Sequence, residues 1–244
     1  MKDLECEHNM GLKYIHTKNV IEVINNISES MDLLEDEKQI LKVIALFHDI
    51  GRFPQFYEYK TFDDKVSVNH ALLSIEVINK NNLLNDVSND VKEVIIKPIE
   101  YHNMKTIPED VNDDRILKFS KMIRDADKVD IYRIVAETFQ TIPLNKAIAQ
   151  NLPDDPYISE KIYANIINNR FVDKTDMQTV NDYKLFIMQW IYDLNFKKSI
   201  EIVKDKHYLK ILFDTINYED DVTYKMAKDV YEKIEDYISK VTLN

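Results

Sequence analysis

The sequence predicts an all-α fold. Only two of the 244 residues are glycine, whereas β-hairpins and tight turns depend on glycine for backbone conformations with positive φ. Apolar residues recur at spacings of three and four, the period of amphipathic helices. Hydrophobic residues make up 45% of the chain, which is enough to bury the core of one domain, with or without an appended helical lobe.

The first part of the chain divides into five predicted helices. The first follows Asn9 or Gly11 and runs to about residue 26, and the others span about 35–49, 67–81, 88–102 and 113–139. We expect Gly51 to end the second helix in the left-handed conformation, because a residue without Cβ adopts it readily. Residues 52–64 are rich in aromatics and contain a proline. They predict a long loop that covers a site, with a packed surface loop as the alternative.

The composition changes after the fifth helix, where Pro143, Pro153 and Pro156 follow one another closely. Further amphipathic segments come next, at roughly 157–170, 180–194, 196–216 and 222–241. We expect residues 1–140 to form a helical core, and residues 141–244 to form a C-terminal helical extension packed on it as one compact unit.

Charge and cysteine content exclude several classes of protein. The formal net charge is -11, which disfavours nucleic acid as a bulk partner because duplex-binding proteins carry a basic face. The single Cys6 excludes an intramolecular disulfide and suits a reducing compartment. No apolar run approaches the roughly 18 residues of a membrane span, and the first residues do not resemble a signal peptide. We therefore expect a cytoplasmic protein without a membrane partner.

Six ionisable side chains lie on or beside the apolar faces of the predicted helices. They are His16, His48, Asp49, His70, His102 and Asp127. Buried ionisable groups are costly without a partner, and imidazole and carboxylate are ordinary ligands of divalent metals. Five helices that bring such groups to one interior predict a site for one or two metal ions. Hydrogen-bonded core histidines, and a buried salt bridge for Asp127, are the alternatives.

The order His16, His48-Asp49 and Asp127 resembles the HD-domain superfamily of metal-dependent phosphohydrolases. The segment His48-Asp49-Ile50-Gly51-Arg52 is similar to the family's His-Asp-Ile-Gly-Lys/Arg form, and Asp125-Ala126-Asp127-Lys128 to its terminal motif, Ala-Asp-Lys/Arg. The resemblance covers about residues 10–135. It implies an HD-domain-type helical bundle, here with additional C-terminal helices, and hydrolysis of a nucleotide or another small phosphorylated substrate.

The resemblance also implies roles for the six residues. The first ion would be held by His16, His48, Asp49 and Asp127. Asp49 would bridge to a second ion held by His70 and His102, since two-metal members carry extra histidines in these intervals. The ligands suit Mn²⁺, Fe²⁺, Co²⁺, Ni²⁺, Zn²⁺ or Mg²⁺ without choosing among them.

Two basic residues follow the metal motifs and could contact a phosphoryl oxygen. Arg52 is expected to bind one as a bidentate fork, with a salt bridge to Glu58 or Asp63 as the alternative. Lys128 is the weaker candidate, with solvent exposure as its alternative.

Other functions remain open at this stage. The chain lacks the Gly-Tyr-Pro signature and the paired histidine of HD-GYP proteins, which speaks against a cyclic-dinucleotide substrate. The HD scaffold also hosts di-iron oxygenases, so fold alone does not decide the chemistry. A non-catalytic, metal-stabilised sensing or binding module is a further alternative, and a homodimer stays open.

Overall fold

The computed structural model describes residues 2–141 and 148–243. Within these ranges every regular element is helical and there is no strand, which confirms the predicted all-α fold. No helix in them combines the length and the apolar character that crossing a membrane requires. The chain divides into two compact units, Met1–Asp130 and Ile131–Asn244. The boundary near residue 140 stays a prediction, and Pro143, one of its markers, lies outside the described residues.

The first unit is built from six helices, the last of which continues beyond it. They are α1 (Lys2–Glu29), α2 (Glu35–Phe47), α3 (Arg52–Tyr59), α4 (His70–Lys80), α5 (Asn89–Tyr101) and α6 (Asp114–Phe139). Acidic residues fill the first turn of α2, where they favour the helix N-terminus. The Asn69 side chain accepts hydrogen bonds from the backbone of Ala71 and Leu72 and so caps α4. The predicted start of α1 was wrong, because the helix already begins at Lys2.

The core of the first unit follows the predicted apolar periodicity. Its fully buried side chains include Val20, Ile24, Ile27, Leu41, Ile44, Ile99, Phe119 and Ile123. In α1 and α2 these residues repeat at spacings of three or four, so one face of each helix is buried. His16 lies four residues before Val20, and His48 four residues after Ile44. The same faces therefore carry the histidines into the interior.

The aromatic segment after Gly51 is not the loop that the sequence predicted, because its first eight residues form α3. Pro54 suggested a break, but it is the third residue of the helix. The first four backbone N–H groups of a helix have no intrahelical partner, so proline is tolerated there. Phe56 is buried and packs against Phe62, with ring centroids 4.7 Å apart. Only the remainder of the segment, up to Asn69, is irregular.

The prediction for the backbone of Gly51 was also wrong. Its φ is −66° and its ψ −20°, so it is right-handed. A Cβ at Gly51 would lie 2.4 Å from the carbonyl oxygen of His70 and 2.5 Å from the backbone nitrogen of Ser74. Glycine is therefore required by the close approach of α4, not by a left-handed conformation.

The second unit contains five further helices among its described residues. They are α7 (Glu160–Ile167), α8 (Val180–Gln189), α9 (Lys197–Asp205), α10 (Tyr208–Asp214) and α11 (Asp221–Leu243), with short 3₁₀ turns at Lys174–Asp176 and Trp190–Asp193. The segment predicted at 196–216 is two helices, because His207 between them has a φ of 56°. This left-handed residue interrupts the helical backbone.

Candidate metal centre

Four imidazole rings from four helices meet in the interior of the first unit. His16 comes from α1, His48 follows α2, His70 begins α4 and His102 follows α5. The ring centroids of His16 and His48 are 5.4 Å apart, those of His48 and His102 5.2 Å, and those of His70 and His102 5.0 Å. All four residues are buried. The structure thus brings the four sequence-predicted histidines together.

Asp49 lies among the four rings and turns one carboxylate oxygen toward each pair. Its Oδ2 is 3.6 Å from Nε2 of His16 and 3.9 Å from Nε2 of His48. Its Oδ1 is 3.4 Å from Nε2 of His70 and 3.8 Å from Nε2 of His102. Two buried ligand sets result, His16–His48–Asp49 and Asp49–His70–His102, and in each set the ligand atoms lie within 4.8 Å of one another.

Asp127 borders the first of these sets. Its Oδ1 lies 3.1 Å from Nε2 of His16, and its side chain is 22% exposed. It is the most accessible of the six predicted ligands, because the four histidines and Asp49 are each at most 6% exposed. Asp127 therefore sits at the more open side of His16.

All four imidazoles are oriented by their Nδ1 atoms. His16 Nδ1 lies 2.7 Å from Oδ2 of Asp130, and His70 Nδ1 2.6 Å from Oδ2 of Asp64. His48 Nδ1 bonds the carbonyl oxygen of Ala45 at 2.8 Å, and His102 Nδ1 that of Ile99 at 2.7 Å. Because a carbonyl or carboxylate only accepts, each Nδ1 donates its proton, and in the neutral form of each imidazole the Nε2 lone pair faces the centre.

The surroundings of the four histidine Nε2 atoms indicate that this site can bind a cation. Within the described residues, the buried Nε2 atom of His48 has no hydrogen-bond partner, which is costly for a buried polar atom. Nε2 of His16 faces the Asp127 carboxylate, at 3.1 Å. Nε2 of His70 lies 3.0 Å from Nε2 of His102, and with both Nδ1 atoms protonated two lone pairs face each other. Ligand nitrogens about 2.1 Å from one ion are separated by roughly 3.0–3.4 Å, so one divalent ion in each ligand set would satisfy these atoms.

The protonation states of most of the residues also suit metal binding, which requires ionised carboxylates and neutral imidazoles. Burial lowers the pKa of His48, and burial together with the neighbouring His70 and His48 lowers the pKa of His102 to about 3. Burial opposes ionisation of Asp49, but Lys13 and the surrounding cationic groups hold its pKa well below its usual range. His16 differs, because the Asp127 and Asp130 carboxylates outweigh its burial and raise its pKa to about 9.

Lys13 is a member of the site that the sequence analysis missed. Its Nζ donates a hydrogen bond of 2.9 Å to Asp49 Oδ2 and lies 5.4 Å from the centroid of the Phe62 ring. Lys13 precedes His16 by three residues on α1, and residues at this spacing share a helix face. This spacing from His16 is visible in the sequence and could have identified Lys13 as a candidate site residue.

Asp64 is a second residue that the sequence analysis missed. Besides His70, its carboxylate accepts hydrogen bonds from Arg52 Nη1 at 3.0 Å and from Gln55 Nε2 at 2.9 Å. Asn103 Nδ2 lies 3.3 Å from its Oδ2. Asp64 lies in the irregular segment before α4, so no helical period marks it.

The two predicted phosphate-binding cations occupy different positions. Arg52 Nε lies 3.4 Å from Asp49 Oδ1, while Nη1 donates to Gln55, to Asp64 and to the carbonyl oxygen of Phe62. Its ion pairs are therefore with Asp49 and Asp64, not with Glu58 or Asp63. Lys128 is partly exposed and follows Asp127 directly. Contact of either residue with a phosphoryl group stays a prediction.

Comparison with known proteins agrees with this arrangement. Residues 14–132 match the HD domain family, and this range includes all six predicted ligands. Neither the comparison with curated proteins nor that with solved structures gives a significant match. The matched range and the buried His/Asp cluster together confirm the predicted resemblance. Residues 14–132 belong to the HD domain family, whose members form a superfamily of metal-dependent hydrolases.

Proposed function

We propose that this protein is a metal-dependent phosphohydrolase that acts on a phosphoester of a nucleotide or of a small phosphorylated metabolite. The observation that carries the proposal is the position of Asp49. Its two oxygens face two different histidine pairs at 3.4–3.9 Å, as expected for a carboxylate that bridges two ions. Two adjacent metal ions are a common arrangement in phosphatases and nucleases.

The ligands would divide between the ions as the distances suggest. His16, His48 and Asp49, with Asp127 beside His16, would hold the first ion, and Asp49, His70 and His102 the second. Divalent ions held there would supply Lewis acidity and would lower the pKa of a bound water. Asp130 and Asp64 keep the imidazoles of His16 and His70 in the required tautomer and raise their basicity as ligands.

The cationic groups near Asp49 would favour an anionic substrate. The Lys13 ammonium is partly exposed, at 22%, and already lies beside the ligand set of the first ion. A cation at this position attracts a phosphoryl group and stabilises charge that develops on its oxygens. Arg52 Nη1 is engaged by three acceptors, so we assign Lys13 the more direct part in substrate binding and Arg52 the task of holding Asp49 and Asp64.

The experiment that tests the function combines elemental analysis with a substrate screen. The protein is purified without a metal-affinity step, its metals are measured, and phosphate release is followed with nucleotides and phosphomonoesters in the presence of Mn²⁺ or Co²⁺. We expect bound divalent metal and phosphate release that Asp49→Ala abolishes. Oxygen consumption by an iron-loaded protein, without phosphate release, would identify an oxygenase instead. Bound metal with neither reaction would indicate a sensing or binding module.

A further inference from the structure

Arg124 is a buried arginine outside the predicted ligand set, and it binds the turn that carries His102. It lies on α6, three residues before Asp127, and is 7% exposed. Its Nη1 donates to the carbonyl oxygens of Tyr101 at 3.2 Å, of His102 at 3.3 Å and of Met104. Its Nη2 donates to the carbonyl oxygen of Lys105 at 3.2 Å. One guanidinium thus binds four carbonyls of a five-residue turn.

The four carbonyls lie at and beyond the end of α5. Tyr101 is the last residue of the helix, and its carbonyl oxygen also accepts a hydrogen bond from the backbone N–H of Met104 at 3.2 Å. Cationic side chains near the end of a helix can bind carbonyls there. The five donors of a guanidinium lie in a rigid plane, so several bonds to one turn fix the position of that turn. The backbone of His102 is therefore held by α6, while its ring is held by the carbonyl oxygen of Ile99 at 2.7 Å.

We infer that Arg124 is a positioning residue for the second ion of the proposed pair. It fixes the turn of His102, whose Nε2 lies 3.0 Å from that of His70. Small displacements of a ligand weaken metal binding, and residues that orient ligands typically contribute 10–100-fold in affinity. This inference rests on the proposed two-ion function. It assigns Arg124 to the second ion, because the turn that its guanidinium binds carries His102, a ligand of that ion.

The test is a calorimetric titration of Mn²⁺ into the metal-free, full-length protein. We expect about two ions for the wild type and about one for His102→Ala. Arg124→Met should bind the first ion as the wild type does and the second at least about tenfold more weakly. Arg124→Lys should show a smaller loss, because an ammonium retains a donor but not the planar fork. Arg115→Met is the matched control, a partly exposed arginine on the same helix, and should match the wild type.

A double variant separates positioning from general destabilisation. If Arg124 acts through His102, Arg124→Met combined with His102→Ala should bind Mn²⁺ as His102→Ala alone does, since coupled residues are not additive. Weaker binding of the remaining ion in the double variant than in His102→Ala would overturn the inference. If Arg124→Met does not fold, as judged by circular dichroism, Arg124→Lys decides by the same criteria.

The outcomes also distinguish failure of this inference from failure of the proposed two-ion function. Two ions in the wild type, one in His102→Ala and two with unchanged affinity in Arg124→Met would overturn the inference alone. A single ion in both the wild type and His102→Ala would overturn the two-ion proposal, and the inference with it.

Discussion

Oδ2 of Asp64 lies 2.6 Å from Nδ1 of His70, although Asp64 belongs to an irregular segment and His70 to the first turn of α4. The imidazole lowers the pKa of Asp64 below its usual range, against the effect of partial burial, and hydrogen bonding from Gln55 and the charge of Arg52 act in the same direction. An ionised carboxylate behind a ligand histidine makes that imidazole a stronger donor.

Asp64→Asn should therefore lower the affinity of the protein for the second ion. The amide keeps the shape of the side chain but removes the charge that supports His70, and we expect a loss of about 10–100-fold in Mn²⁺ affinity for one ion. Asp63→Asn, at the exposed neighbouring position, is the control and should bind as the wild type does. Unchanged affinity in Asp64→Asn would show that the carboxylate does not support a metal ligand.

Substitution of the ligands themselves should separate one ion from two. Asp49→Ala should remove bound metal and phosphatase activity, because the carboxylate faces both ligand sets. His70→Ala and His102→Ala should each reduce the stoichiometry from about two ions to one. Elemental analysis measures the ions, and circular dichroism checks that the variants remain helical. His207→Ala, an exposed histidine of the second unit, is the control. Full activity of metal-free Asp49→Ala would contradict the assignment.

The two glycines of the chain should respond in opposite ways to alanine. A Cβ at Gly51 would meet backbone atoms of His70 and Ser74 at 2.4 and 2.5 Å, whereas a Cβ at Gly11 would meet nothing within 4 Å. We expect Gly51→Ala to lower the free energy of unfolding by about 1–3 kcal/mol or more. Gly11→Ala, inside α1, should raise it by about 0.5–1 kcal/mol. Urea denaturation measures both, and equal midpoints would contradict the proposed steric requirement.

The displacement caused by Gly51→Ala should also reach the metal ligands. Ser74 Oγ accepts a hydrogen bond from Gly51 N at 2.8 Å and lies 2.9 Å from the carbonyl oxygens of both His48 and His70. A shift of α4 away from Gly51 would therefore separate the two histidine pairs. We expect weaker Mn²⁺ binding in Gly51→Ala, and wild-type affinity in Gly11→Ala.

Lys184 in the second unit should make stability depend on pH. Burial lowers its pKa to about 8, although Asp154 acts in the opposite direction. Its Nζ donates to the carbonyl oxygen of Thr215 and lies 4.6 Å from the centroid of the Phe139 ring. Between pH 8 and about 10.4, the ordinary pKa of lysine, the unfolded chain binds more protons than the folded one, so the free energy of unfolding rises with pH.

The comparison of wild type with Lys184→Met measures this contribution. The stability of the wild type relative to the variant should increase from pH 8 to 9.5, with a slope of at most about 1.4 kcal/mol per pH unit. Urea denaturation at pH 7.5, 8.5 and 9.5 measures it, and ionisation of the tyrosines cancels in the difference because both proteins contain them. A difference that stays constant with pH would mean that burial does not lower the pKa of Lys184.

Apolar periodicity was sufficient to predict the helices that carry the site. His16 and His48 could be placed because each lies on a helix face whose other residues are buried. The metal-ligand role of the six residues stays a prediction, although the structure brings them together. Asp64 could not be predicted in the same way, because it lies in an irregular segment that no helical period marks. Lys13 shares a face of α1 with His16, but its hydrogen bond to Asp49, 36 positions away, is visible only in the structure.

The two errors near Gly51 have different physical origins. Pro54 stands in the first turn of α3, where the local rules of helix formation tolerate proline, so its presence did not require a loop. The backbone of Gly51 is constrained by the close approach of α4, which begins 19 residues further along the chain. The local rule that associates glycine with left-handed helix ends does not contain the approach of another backbone.

The support behind the four imidazoles is the same on both sides of Asp49. In each ligand set one histidine is backed by a carboxylate, Asp130 or Asp64, and the other by the carbonyl oxygen three residues earlier in its own helix. Two ions held there would each receive one strongly and one moderately basic nitrogen. A preference for a different metal on one side would then come from the groups that the two sides do not share. These are Asp127 and Lys13 on the side of His16, and Arg52 on the side of His70.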